Sequence, residues 1–322
     1  MEDYARFVLD DPGVAVLAKG LRHDLAAAIE SHRLTSVIPS RDIIGDVGVN
    51  LKAEREYDRR DSGQVVVAAG KRLGEALRVI EEYGKTFDPD FGQAVEQLRY
   101  RSYELERRLA IRLNAGQRFG RVRLYVLVTE ELCSGDWLTT AGAAIDGGAQ
   151  CLQLREKELP DNELVDRARR LAELCRQRGV LCAINDRPDI AVAAGADGVH
   201  LGQKDMSIAD ARRVVGPGRI VGVSTHDLEQ FAAATAQSPD YIAVGPMFAT
   251  QTKPQKHIAG PEVLREALNT TSLPVAAIGG IGPDNVEAIV ATGCRCVCVC
   301  RAVIAQPDVA AAARRIRDRL QA

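Results

Sequence analysis

Gly148-Ala149-Gln150-Cys151-Leu152-Gln153-Leu154-Arg155-Glu156-Lys157 is the stretch from which the rest of the chain can be read. Cys151 to Arg155 has the length and apolar content of a buried strand, bounded by Gly147-Gly148 before it and Leu159-Pro160 after it. Side chains alternate across a strand, so Gln153, Arg155 and Lys157 share one face if the strand stays extended to its end. One amide and two cations then meet where a strand runs into a loop. An edge strand with solvated charges fits this stretch alone equally well. The functional alternative is a polyanion site, where a second cation offsets the charge of a group such as a diphosphate.

Toward the C-terminus the same unit recurs. A helical pattern at 161–178 follows, then another strand at 180–184. Strands are predicted at 123–129, 150–155, 180–184, 197–201, 219–223, 240–244, 274–279 and 296–300. Helical patterns separate them at 137–146, 161–178, 187–194, 207–214, 227–236, 261–268 and 283–292, and a last one runs over 308–321. Eight strand–helix units in about 200 residues predict a closed parallel (β/α)8 TIM barrel. The open doubly wound sheet is the competing architecture, but no Gly-x-Gly-x-x-Gly opening is present to support it.

The polar residues then fall at one end of that barrel. Asn185-Asp186 end the third strand, Gly202-Gln203-Lys204-Asp205 follow the fourth, and Ser224-Thr225-His226 end the fifth. Gly245 to Lys253 follows the sixth, Gly279-Gly280 the seventh, and Arg301 the eighth. Active sites of such barrels lie at the C-terminal ends of the strands. Asp186 and Asp205 are hard oxygen donors on neighbouring strand ends, suited to one magnesium ion. Arg155, Lys157, Lys253 and the Ser224 hydroxyl are suited to a diphosphate. Gly279-Gly280 lets backbone N–H groups approach a second phosphate, helped by a short helix after the eighth strand. Two anion pockets, one with a metal, suit a reaction joining a diphosphate to a monophosphate. Simpler readings stand beside these. Asp186 could cap the following helix, His200 reads best as a satisfied barrel histidine, and His226-Asp227 as a helix start.

Composition narrows the classes. Aromatic residues are 4% against 46% hydrophobic overall, so the core is built from Ala, Val, Leu and Ile. A net charge of −2 with mixed signs carries no nucleic-acid or membrane footprint. The start has no hydrophobic signal region and no apolar run is long enough to span a bilayer, so the expectation is a cytoplasmic protein. Four of the eight cysteines alternate, Cys294, Cys296, Cys298 and Cys300. Residues alternating along a strand are about 6.5–7 Å apart, too far for four thiolates to close on one zinc. They read as small buried hydrophobes in a reducing compartment.

Upstream, residues 1–114 read as a helical domain, 115–122 as a linker and 123–322 as the barrel. Val67, Leu73, Leu77 and Ile80 recur at helical spacing between Gln64 and Lys85, and Val95, Leu98, Leu105 and Leu109 between Phe91 and Arg112. An internal repeat is visible. Glu2-Asp3-Tyr4 is echoed by Glu81-Glu82-Tyr83, Asp10-Asp11-Pro12 by Asp88-Pro89-Asp90, and Leu21-Arg22-His23 by Leu98-Arg99-Tyr100, with a slip of about two residues. A helix precedes the second copy's Glu-Glu-Tyr, whereas only Met1 precedes the first copy's motif. The pattern therefore predicts a helix missing at the start, through a misassigned start or a shortened copy. Arg22-His23-Asp24, Arg41-Asp42, Asp46 with Gly48, and Glu54-Arg55 read better as solvated helical faces than as a site.

Residues 123–321 resemble the thiamine-phosphate synthase (thiamine-phosphate pyrophosphorylase) family. The matching runs are Gln153-Leu-Arg155-Glu-Lys157, Ile184-Asn185-Asp186-Arg187, Val199-His200-Leu201-Gly202-Gln203 with Asp205, Val223-Ser224-Thr225, Gly245-Pro246 through Thr250-x-Thr252-Lys253, and Ala277-Ile278-Gly279-Gly280-Ile281. Each is weak alone, and together in order they are specific. The resemblance implies a magnesium-dependent transferase. It joins 4-amino-5-hydroxymethyl-2-methylpyrimidine diphosphate to a thiazole (or carboxythiazole) phosphate, giving thiamine phosphate and diphosphate. It assigns Gln153, Arg155, Glu156, Lys157, Asn185, Ser224 and Lys253 to the pyrimidine diphosphate. Thr250, Thr252, Gly280, Cys300 and Arg301 go to the thiazole phosphate, and Asp186 and Asp205 to Mg2+. Cys300-Arg301 departs from the family's pair of an aliphatic residue and a small polar or cationic one, although Arg301 is well suited to hold a phosphate. Residues 1–120 resemble a helical domain fused ahead of some bacterial members, which implies phosphorylation of the pyrimidine monophosphate.

Two rival readings stand beside this one. One is a thiazole-phosphate tautomerase-like barrel, which would not need both aspartates and the cationic strand. The other is a non-catalytic protein that binds a thiazole or thiamine phosphate. The partners expected are small-molecule substrates, without nucleic acid or membrane. A homo-oligomer is open, and the helical domain could serve as kinase, oligomerisation element or remnant.

Overall fold

The structure of the chain is a computed structural model that describes residues 1–9, 11–34, 62–250 and 258–321. By their internal contacts they divide into two compact units, Met1–Leu113 and Asn114–Ala322.

The first unit is helical: α1 (Glu2–Phe7), α2 (Pro12–Ser31), α3 (Ser62–Gly84) and α4 (Pro89–Gly120), whose end belongs to the second unit. The repeated Asp-Pro steps open helices. Asp11 accepts from the Val14 N–H at 3.0 Å at the start of α2, and Asp88 accepts from Phe91 N at 3.1 Å at the start of α4. Each carboxylate satisfies a backbone donor that the first turn leaves unpaired. The repeat also shows in its ion pairs. Glu2 pairs with Arg22 at 3.1 Å and Glu81 with Arg99 at 2.5 Å. The first pair is exposed and the second is buried among the helices. The apolar stripe is close to the one expected. Val95, Leu98, Leu105, Leu109 and Leu77 are buried, but α3 buries Val66 and turns Val67 outward. Arg22 and Asp24 are engaged on the helix surface with Glu2 and Arg101. Arg41, Asp42, Asp46, Gly48, Glu54 and Arg55 lie outside the described residues.

The expected linker is corrected by the structure. Residues 115–120 continue α4, and Ala115 and Phe119 are buried together with Val122. Glycines and arginines suggested an open connection there. The burial of Phe119 on Tyr125 and Tyr241 decides otherwise, with ring centroids 5.8 Å and 3.5 Å apart.

Eight strands follow: β1 (Leu124–Val128), β2 (Cys151–Leu154), β3 (Leu181–Asn185), β4 (Gly198–Leu201), β5 (Ile220–Thr225), β6 (Tyr241–Val244), β7 (Val275–Ile278) and β8 (Cys296–Val299). All neighbours are parallel, and β8 pairs back onto β1 to close the barrel. The intervening helices are α5 (Trp137–Asp146), α6 (Asp161–Arg178), α7 (Pro188–Ala193), α8 (Ile208–Val215), α9 (Leu228–Ala236), α10 (Gly260–Thr270) and α11 (Val286–Val290), with α12 (Arg301–Ile304) and α13 (Val309–Gln321) closing the chain. Alternation divides each strand between two cores. Leu152, Ile184, Val199 and Val221 face the helices, while Tyr125, Cys151, Ala183, Tyr241 and Ala276 fill the barrel. Gly222 has no Cβ because the Tyr241 ring occupies that space. Cys296 and Cys298 belong to the interior, whereas Cys294 lies in the outer core, so the four cysteines do not share one face. All eight thiols are free. Among the described residues, no helix is long and apolar enough to cross a membrane.

Candidate active site

The C-terminal ends of the strands surround a cleft of about 950 Å³. β2 and its extension supply Gln153, Arg155 and Lys157, β3 supplies Asn185 and Asp186, and β4 leads into Asp205. β5 adds Ser224, and Thr250, Gly280, Cys300 and Arg301 line the other side. These expected site residues therefore meet in one place. Thr252 and Lys253 lie outside the described residues, as do Lys256 and His257.

Glu156 is different, and its expected place in the cleft is corrected. Its Oε1 accepts from the Glu130 N–H at 2.9 Å and from Arg167 Nη1 at 3.4 Å, and it does not line the cleft. Alternation puts residue 156 on the side opposite Arg155 and Lys157. Arg167 also pairs with Glu130 at 2.5 Å. The Arg155 backbone is held too, donating to Val128 O at 2.9 Å and accepting from Thr129 Oγ1 at 2.8 Å. Glu156 thus anchors the segment whose cations face the cleft.

Asp186 has a left-handed φ of 63°, which short polar residues tolerate better than others, and which turns the chain out of β3. The helix-cap alternative fails, since Arg187 holds the N-cap position of α7. Lys157 Nζ donates to Asp186 Oδ2. Asp205 Oδ2 accepts from Gly202 N at 2.6 Å, and a Cβ at residue 202 would come within 2.9 Å of that oxygen. The two carboxyl groups lie close enough to shift each other's ionisation in opposite directions. Burial raises the Asp205 pKa, and contact with Asp186 raises it further. Burial opposes ionisation of Asp186 too, but the Lys157 ammonium and Asp205 outweigh it and hold its pKa below the ordinary value. Two carboxyls brought together against their mutual repulsion fit a divalent cation. Magnesium takes one or two protein carboxylates and completes its shell with water and substrate oxygens. Among the described residues there is no cluster of three or more His, Cys, Asp or Glu that could hold a metal.

Beneath the cleft runs a buried polar network that sequence reasoning missed. Gln153 Nε2 donates to the Tyr125 hydroxyl, which lies 3.1 Å from the Tyr241 hydroxyl. Tyr241 Oη is 2.7 Å from His200 Nδ1, and His200 Nε2 is 2.8 Å from Ser224 Oγ. Burial pushes both tyrosine hydroxyls well above their ordinary pKa, so they stay protonated. His200 is a satisfied barrel histidine, as expected. Its contact with Ser224 looks like a nucleophile and base, but a phenol, Tyr241, rather than a carboxylate supports Nδ1. Gln203 Nε2 pins the Ser224 carbonyl at 2.6 Å. Strand alternation was the available signal, since it aims Tyr125 and Tyr241 inward. Asp227 caps α9 at 2.8 Å, and His226 Nδ1 meets Gly245 O at 2.5 Å.

On the other side, Gly279 and Gly280 have φ of 98° and 70°. A Cβ would come within 2.6 Å of Pro246 at the first and within 2.7 Å of two carbonyl oxygens at the second. Asn285, also missed, donates to Gly280 O and accepts from Gly282 N, both at 2.9 Å. It holds that loop in shape. Burial pushes the Cys300 thiol up to about 11, with Arg155 and Arg301 close enough to oppose the rise. Cys300 therefore stays a neutral thiol despite the opposing charge of the two arginines.

The family described as thiamine monophosphate synthase matches residues 124–303, and the ThiD2 family matches residues 1–108. The chain is 40% identical over 303 residues to a thiamine-phosphate synthase of Rhodopirellula baltica, covering 91% of this chain and 80% of that protein. It is 40% identical over 304 residues to one of Synechocystis sp., covering 94% and 86%. A solved thiamine phosphate pyrophosphorylase from Pyrococcus furiosus superposes with a TM-score of 0.59 at 33% identity, covering 64% of this chain and 98% of that one. The protein belongs to the thiamine-phosphate synthase family, with a ThiD2 domain ahead of its barrel.

Proposed function

We propose that the cleft binds the two substrates of thiamine phosphate synthesis side by side, the pyrimidine diphosphate over β2–β5 and the thiazole phosphate against β7 and β8. One observation carries this reading. The cations Arg155 and Lys157 and the carboxyl pair Asp186–Asp205 converge on the same cleft that Gly280 and Arg301 line from the other side. Asp186 and Asp205 would hold Mg2+, which when bound offsets the charge of the departing diphosphate. Arg155, Lys157 and the Ser224 hydroxyl bind that diphosphate, with Asn185 beside it, and Gln153 orients the pyrimidine. The pyrimidine's amino group donates electrons into the ring as the C–O bond to diphosphate breaks. The electron pair leaves with the diphosphate, and the thiazole nitrogen forms the new C–N bond. The Gly279-Gly280 turn and Arg301 hold the thiazole phosphate close to the reacting carbon, and Thr250 lies beside them. Lys253 and Thr252 extend the two subsites by family resemblance. No protein nucleophile is required, which agrees with a Cys300 thiol that burial keeps protonated.

The test is an assay of thiamine phosphate from the purified chain with magnesium and thiazole phosphate. One reaction receives the pyrimidine diphosphate, the other the monophosphate with ATP. Product from the diphosphate is expected, and its absence with folded protein contradicts the reading. Product in the second reaction supports a kinase role for residues 1–108; its absence there removes that role and leaves the barrel reading intact.

A further inference from the structure

The network under the cleft has a direction. The Gln153 amide nitrogen donates to the Tyr125 oxygen. The Tyr125 hydrogen has the Tyr241 oxygen at 3.1 Å, a better acceptor than the neighbouring Cys151 sulfur. Tyr241 in turn has the His200 Nδ1 lone pair at 2.7 Å. A neutral imidazole that accepts at Nδ1 carries its proton on Nε2, so His200 donates to Ser224 Oγ at 2.8 Å. The two tyrosine hydroxyls, the His200 Nε2–H and one of the two Gln153 N–H groups are then spent inside the chain. Two groups are left to face the cleft, and they have opposite character. Gln153 presents its carbonyl oxygen, an acceptor, and Ser224 presents its O–H, a donor.

We propose that Tyr125, Tyr241 and His200 act as positioning residues that polarise this chain, so that the cleft accepts at Gln153, donates at Ser224, and thereby selects a pyrimidine bearing an amino group together with an anionic leaving group. This rests on the assignment of Gln153 and Ser224 to the pyrimidine diphosphate. A reversed chain would turn every hydrogen bond round. Ser224 would then accept and face a diphosphate oxygen with its lone pairs, while Gln153 would offer N–H groups to an amino group that also donates. The anion therefore selects one direction, and that direction selects the amino-pyrimidine over its oxo counterpart. Phe119 holds the arrangement sterically. It stacks on Tyr241 with an interplanar angle of 7°, and the absent side chain of Gly222 leaves room for the same ring.

The direct readout is the histidine tautomer. The full chain, labelled with 15N-histidine, is observed at about pH 8, above the ordinary histidine range, and the His200→Asn spectrum assigns the resonance. The expected signal is a pyridine-type Nδ1 and a protonated Nε2, and a protonated Nδ1 in the neutral ring overturns the proposal. The second readout is the ratio of dissociation constants for the 4-amino and 4-oxo pyrimidine diphosphates, measured without thiazole phosphate. In Tyr125→Phe and Tyr241→Phe the wild-type preference for the amino compound should fall on the order of tenfold. A purely structural defect weakens both ligands together, and an unchanged ratio in folded variants overturns the proposal. Gln153→Ala separates the two levels of failure. If it leaves binding of the amino compound unchanged, the site assignment itself is wrong. If it weakens binding while the tyrosine variants keep the ratio, the site stands and the polarised chain is wrong.

Discussion

Arg155 illustrates how much a single position can disclose. Strand alternation aims it with Gln153 and Lys157, and the structure brings all three to the same cleft. Replacing it with methionine keeps the stem and removes the charge. Loss of a charge-assisted contact is expected to raise KM for the pyrimidine diphosphate on the order of tenfold to a hundredfold, with KM for the thiazole phosphate nearly unchanged. Steady-state kinetics with each substrate varied separates these effects. Gly280→Ala acts on the opposite subsite. Its φ of 70° and the carbonyl oxygens 2.7 Å from a Cβ force the loop to shift, costing on the order of 1–3 kcal/mol. The expected result is a raised KM for thiazole phosphate and a lower denaturation midpoint. Glu156 shows where adjacency misleads, because it belongs to the motif but faces Arg167. The contact between Tyr125 and Tyr241 spans 116 residues of sequence, and only barrel closure brings the hydroxyls together.

At the level of elements, the end of β2 depends on α6. Arg167 reaches both Glu130 and Glu156 and braces the segment carrying Arg155 and Lys157. Arg167→Met should lower kcat/KM for the pyrimidine diphosphate on the order of tenfold through loosened orientation, although Arg167 does not line the cleft. An unchanged kcat/KM would mean that Glu130 and Thr129 suffice. The helices and strands were legible because their apolar periods are clean and Gly, Pro and Asp mark their ends. The end of α4 was not. Ala115 and Phe119 occur among Gly116, Arg118, Gly120 and Arg121, and their burial is decided by tyrosines that come later in the chain. Phe119→Ala is expected to destabilise the second unit by about 3–5 kcal/mol. The fluorescence of Trp137, the single tryptophan and a residue of that unit, reports it.

For the molecule as a whole, the barrel could be read because eight similar units repeat and their polar residues gather at one end. The helical unit offered less, since its internal pairs are formed by charges that also suit a solvated face. Glu81 is the clearest case. Arg99 first, and Lys85 after it, hold its pKa at about 2, against burial and from an ordinary 4.5. The unfolded chain therefore takes up this proton at a higher pH than the folded one. The stabilisation is complete above about 4.5 and is lost as pH falls toward 2. Far-UV melting of the full chain should show an acid slope over that interval that Glu81→Gln reduces, and an equal slope in both would refute the assignment. The central claim is that Asp186 and Asp205, with Arg155 and Lys157, form the site of diphosphate departure. The most direct measurement is the rate of thiamine phosphate formation against magnesium concentration for the wild type and for folded Asp205→Asn. The account predicts magnesium-dependent turnover in the wild type and a loss on the order of a hundredfold or more in the variant. Wild-type turnover by Asp205→Asn at the same magnesium concentration would contradict it.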